Sequence, residues 1–93
     1  MKILASEQVQ TWLAALPPEA KRRVRVALRK LEKGKGDILA LRGELAGFNR
    51  LRVGGVRVIY SQHPGLVLRL QYAETRDTVY ENFLEVLARR RSE

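Results

Sequence analysis

The chain has no cysteine, which excludes disulfides and thiolate metal sites. Its one histidine, His63, stands in a His-Pro-Gly run with no second ligand at metal-binding spacing. It reads as a surface turn residue, and neither a metal nor a cofactor is expected. No apolar run approaches the ~20 residues of a membrane-spanning helix. MKILASEQVQ turns polar too early for a secretory signal, so a cytoplasmic address and no membrane partner are expected. There is no repeat, low-complexity tract or linker, and 93 residues is the length of one domain, residues 1–93. Catalytic constellations are also missing: no carboxylate pair, Ser/His/Asp set or phosphate-cradling glycine loop stands out.

Acidic residues are in the minority. Ten Asp and Glu face 18 Lys and Arg, a formal charge of +8. Such a balance points to a polyanionic partner, and composition does not choose among nucleic acid, an anionic membrane and an acidic protein.

KILA, residues 2–5, reads as a strand. Ser6 is an N-cap for a helix to about Leu16, with Val9, Trp12, Leu13 and Leu16 on one face. Pro17-Pro18 ends it. Pro18 and Glu19 suit the first turn of a second helix, because proline has no amide hydrogen to leave unpaired and glutamate meets the positive dipole end. Val24, Ala27, Leu28 and Leu31 keep the helical period, while Lys21, Arg22, Arg25, Arg29 and Lys33 lie opposite. Gly34 stops it. The two helices read as an antiparallel pair. GKGD, residues 34–37, is a loop, and ILALRGELAG, residues 38–47, reads either as a helical turn or as irregular chain.

Three strands follow, at 48–53, 56–62 and 66–72, joined by Gly54-Gly55 and by His63-Pro64-Gly65. After the ETRD loop, Asp77 or Thr78 caps a last helix with Val79, Phe83, Val86 and Leu87 on its apolar face, running into RRRSE. A two-residue turn at Gly54-Gly55 opposes Arg52 to Arg57. It puts Leu51, Val53, Val56, Val58 and Tyr60 on a core face and Phe48, Arg50, Arg52, Arg57 and Ile59 on the other. In the third strand Arg69 adds a cation, and Leu66, Leu68, Leu70 and Tyr72 form the apolar side. Like charges directly opposed on a sheet repel, which invites an anion unless the arginines simply extend into solvent.

The stretch LRGELAGFNRLRVGGVRVIY, residues 41–60, resembles the L-x-G-x-x-x-G-x-x-R-L-R-V-G-x-x-R-V-I-Y pattern of the RelE/ParE toxin superfamily of bacterial toxin–antitoxin systems. The resemblance implies an α+β fold: a two-helix antiparallel hairpin packed on a mainly antiparallel four-stranded sheet, with a C-terminal helix. It also implies a cognate antitoxin with an acidic segment. RelE-type members cut mRNA on the ribosome without a metal, whereas ParE-type members inhibit DNA gyrase by protein binding. Carried over, Arg50 and Arg52 are RNA-binding cations, to which Arg69 on the next strand is added, and Arg57, Arg76 and Tyr80 are the catalytic residues. The chain departs from the pattern at Ala73-Glu74-Thr75-Arg76, where Glu74 takes a normally basic place. A catalytically degenerate, RNA-binding member is the remaining alternative.

Overall fold

The computed structural model describes residues 1–92; Glu93, the last residue of the RRRSE run, lies outside the described residues. A five-stranded sheet organises the fold. In chain order its strands are β1 (Lys2–Ala5), β2 (Asp37–Ala40), β3 (Asn49–Val53), β4 (Val56–His63) and β5 (Val67–Glu74). Across the sheet the order is β1-β5-β4-β3-β2, with β1 parallel to β5 and the other pairs antiparallel. Helices α1 (Glu7–Ala14) and α2 (Pro18–Leu31) connect one edge of the sheet to the other, and α3 (Val79–Ser92) follows β5. Among the described residues, no helix is long and apolar enough to cross a membrane.

The expected helix pair is present but unequal. Ser6 caps α1 by accepting from the Val9 amide, and the helix closes at Ala15, before the proline pair restricts Leu16. Pro18 stands in the first turn of α2, and Glu19 follows. The α2 exit is a Schellman closure: the Gly34 amide reaches the Leu31 carbonyl and the Lys35 amide the Lys30 carbonyl, both at 2.9 Å, with Gly34 at φ +73°. Val9, Val24 and Leu31 pack with Leu51, Val58, Tyr60, Leu68 and Leu70, so α1 and α2 cover one face of the sheet.

Three details correct the sequence reading. The sheet has five strands rather than four, because Asp37–Ala40 pairs antiparallel with β3. Four residues are too few to show alternation, and Leu39 of this edge strand is 51% exposed, so burial leaves no pattern there to read. Gly43–Leu45 then forms a 3₁₀ turn, so residues 38–47 are partly strand and partly helical turn. Second, Leu66 belongs to the turn, not the strand: it has φ +58° and is 62% exposed.

The third correction concerns Tyr72. Ile59 pairs with Tyr72 but Tyr60 pairs with Leu70, which leaves Gln71 as an extra residue on β5. This bulge shifts the alternation by one. Leu68 and Leu70 stay under the helix pair, while Tyr72 turns to the opposite face. There it joins a second cluster with Leu45, Phe48, Ile59, Val79 and Phe83, covered by α3. Phe83 is fully buried, edge-to-face with Phe48 at 5.0 Å and stacked with Tyr72 at 6.0 Å.

Candidate nucleic-acid interface

The β3–β4 hairpin has the expected register. Gly54, at φ +58°, opens the turn, and Val53 pairs with Val56, Arg52 with Arg57, Leu51 with Val58 and Arg50 with Ile59. A glycine suits Gly54 because a side chain is strained at positive φ. Leu51, Val58 and Tyr60 face the helix pair, which leaves Arg50, Arg52 and Arg57 on the α3 side, beside the second cluster.

The opposed cations are relieved from within the chain. Arg57, with its side chain 13% exposed, donates through Nε to Asp77 Oδ1 at 2.6 Å and through Nη1 to the carbonyls of Gly55 at 2.7 Å and Thr75 at 3.4 Å. Arg52 turns to the Gly54 carbonyl at 3.4 Å. Arg50 pairs with Asp37 at 2.9 Å, yet its Nε is buried without a partner among the described residues. A donor left so costs about 1–3 kcal/mol, a standing demand for an acceptor.

Tyr80, in the first turn of α3, is half-buried against the Phe83 cluster, and its amide bonds to the Asp77 carbonyl at 3.2 Å. Arg76, one residue before Asp77, is exposed. Glu74 is the cross-strand partner of Arg57, but both its carboxylate oxygens accept from Asn82 Nδ2, at 2.8 and 2.7 Å, rather than from Arg76. Burial, and then the nearby Glu74 charge, push the Tyr72 hydroxyl above its ordinary pKa.

The structure therefore ties Arg57 to the Thr75–Asp77 segment that carries Arg76 and leads into Tyr80, with Arg52 across the strand from it and Arg50 two residues further back. Arg69 does not join them. It pairs with Ser61, four residues beyond Arg57, or ~13 Å along β4. Asp77 and Asn82 were missed as site residues because nothing in the spacing shows that they fold back onto Arg57 and Glu74. His63, expected as a surface turn residue, is exposed but stands in β4 rather than in the turn. Ending β4, it lies 2.7 Å from Ser61 Oγ, which also accepts from Gln71 Nε2 at 2.9 Å. A shared face for residues two apart on a strand is the signal that would have found this pair. Among the described residues, no three His, Asp or Glu side chains gather where they could hold a metal ion.

No protein-family model matches the sequence, and comparison with curated proteins gives no match either. Solved structures do match. The chain is similar to one in the RelE–RelB complex of the archaeon Pyrococcus horikoshii OT3, at 27% identity and TM-score 0.65, covering 82% of this chain and 94% of that one. A similar likeness holds to the RelB–RelE antitoxin–toxin complex of Methanococcus jannaschii, at 19% identity, TM-score 0.67, and 86% and 98% coverage. The YoeB–YefM complex of Staphylococcus aureus follows at 14% identity, TM-score 0.65, and 80% and 94% coverage. A mixed sheet with two helices on one face and a third on the other is thus the fold of a RelE-like toxin. With the hairpin motif, it places this chain in the RelE-like toxin superfamily.

Proposed function

We infer that this chain is the toxin of a type II toxin–antitoxin pair, and that it cuts ribosome-bound mRNA. The observation that carries this reading is the end of the sheet where Arg57 is fixed by a carboxylate and two carbonyls beside Arg52, Arg76 and Tyr80. The two carbonyl bonds hold the guanidinium in place, and a reacting phosphate would take the Nε edge that Asp77 occupies in the free protein. In the proposed reaction the ribose 2′-oxygen attacks the adjacent phosphorus and loses its proton to Glu74, which Asn82 orients. The bond from phosphorus to the 5′-oxygen breaks, and that oxygen takes a proton from the Tyr80 hydroxyl, which solvent restores as Glu74 gives up the one it gained. Arg57 meets the extra negative charge of the five-coordinate phosphorus, Arg50 and Arg52 hold flanking phosphates, and Arg76 and Tyr80 shape the reacting end. The +8 charge suits an antitoxin with an acidic segment, which would cover the same cations and work from the cytoplasm with its toxin.

Induced expression with separate readouts of mRNA cleavage and gyrase supercoiling tests the reading. Arg57→Ala should lose about 2–4 kcal/mol of transition-state stabilisation, as for an oxyanion donor. Tyr80→Phe should slow cleavage with ribosome binding intact, and Glu74→Arg should abolish cleavage while Glu74 is the base. One observation favours a second reading, a ParE-like toxin that binds DNA gyrase: Glu74 and Asp77 put two carboxylates where a phosphate would sit. Growth arrest with intact mRNA and blocked gyrase would establish it in place of the first.

A further inference from the structure

A second cationic cleft opens on the α3 side at the other end of β5. It encloses about 300 Å³ between β1, β5 and the last turn of α3, and Leu4, Ser6, Arg69, Gln71 and Arg90 contribute to its walls. Arg69 and Leu4 are register partners in the parallel pair. Ile3 and Ala5 pack under the helices, so strand alternation turns Leu4 and Arg69 together to the cleft side. Arg90 arrives from the basic end of α3.

The hydrogen bonds show how these groups are held. Ser6 Oγ donates to the Gln71 carbonyl at 2.9 Å, which ties the start of α1 to the bulge. The Gln71 amide is fixed from both ends: Nε2 donates to Ser61 Oγ at 2.9 Å, and Oε1 accepts from Arg90 Nη1 at 3.3 Å. Arg90 is thereby held over the bulge, and its remaining donors have no partner among the described residues. Among the described residues, no acidic one lines the cleft, and neither Arg69 nor Arg90 has a carboxylate partner, unlike Arg50 and Arg57. Among the described residues, two guanidinium groups line the cleft with no counter-charge, and the half-exposed Leu4 supplies an apolar floor.

We propose that this cleft binds a backbone phosphate of the RNA strand, anchoring it ~13 Å along the sheet from Arg57. The assignment rests on the RNA reading given above and adds a contact outside the reacting end. Two arginines with free donors match the non-bridging oxygens of a phosphodiester in a forked arrangement. The anchor sets affinity and strand position, whereas Arg57 acts on the scissile bond.

The test is binding of a fluorescent 2′-O-methyl oligoribonucleotide, which is not cut, measured by anisotropy over a range of salt. The Arg69→Ala/Arg90→Ala double variant should bind about 5–20-fold more weakly, with the slope of log K against log salt reduced by about 0.7 for the lost phosphate contact. Arg22→Ala/Arg23→Ala on α2 removes the same net charge away from the cleft and should lose less than half as much. Equal losses in the two double variants, or no loss in the first, would overturn the anchor. Inorganic phosphate is the second arm: if it shifts the amide resonances of Ser6 and Gln71 while RNA affinity ignores the Arg69/Arg90 change, the cleft serves a free phosphate and the anchor is overturned. A wild-type protein that leaves RNA unbound defeats the RNA reading itself. One that binds RNA equally well with and without the two arginines defeats the cleft alone.

Discussion

Asp77→Asn should tighten binding of an uncleavable RNA. In the free protein the Asp77 carboxylate occupies the guanidinium edge that a phosphate needs, 2.6 Å from Arg57 Nε. Asp77 is 78% exposed, so the pair is screened and worth only about 0.2–1 kcal/mol. The carboxylate also repels an incoming phosphate. At ~6 Å in an aqueous dielectric that repulsion is about 0.7 kcal/mol. Removing both terms gives about 1–1.7 kcal/mol, or roughly 5–20-fold in affinity. Asparagine serves a helix start as well as aspartate does, and Arg57 keeps its bond to the Gly55 carbonyl, so stability should fall by less than about 1 kcal/mol. The assay is anisotropy at low and moderate salt, in wild-type and Arg57→Ala backgrounds. The gain should vanish without Arg57, since the two residues form one coupled pair. A gain that persists without Arg57 would show a general charge effect, and unchanged or weaker binding would refute the idea that Asp77 holds the phosphate position.

Two further outcomes follow from packing and titration. Phe83→Ala removes a fully buried ring from between Phe48 and Tyr72, and urea unfolding should show a loss of about 3–5 kcal/mol; a loss under about 1 kcal/mol would mean that α3 is not anchored there. Tyr60 and Tyr72 both have pKa values raised in the folded state, chiefly by burial, so above pH ~10, the unfolded tyrosine value, the folded state retains protons that the unfolded chain has lost. Stability contributed by these groups is complete below that pH and drains away as pH rises towards the folded values. Tyr72→Phe should flatten the alkaline slope of the denaturation midpoint, and an unchanged slope would assign it to other groups.

Much of the fold was legible because local rules act over a few residues. Gly54-Gly55 fixes a two-residue turn, and the period of two then sets which of residues 48–60 share a face. Ser6, Pro18 and Gly34 punctuate the first two helices through their own backbone chemistry. The site was less legible. The cations announced themselves by type and spacing, but their partners did not: Asp77 reaches Arg57 from 20 residues away, and Asn82 reaches Glu74 across the β5–α3 connection.

The sequence by itself determined the helix pair, the hairpin register and the basic charge of one hairpin face, since each follows from side-chain type and periodicity within one element. Tertiary structure alone decided that DILA is an edge strand, because its hydrogen bonds come from β3 and its burial carries no pattern. It also decided the fate of Tyr72 and Arg69. The bulge at Gln71 is a property of how β5 meets β4, and one unpaired residue there sends Tyr72 under α3. The pairing of β5 with β1 and β4 carries Arg69 away from Arg57 to meet Arg90 instead. Strand pairing is a contact between distant segments, so neither outcome is written in any one of them.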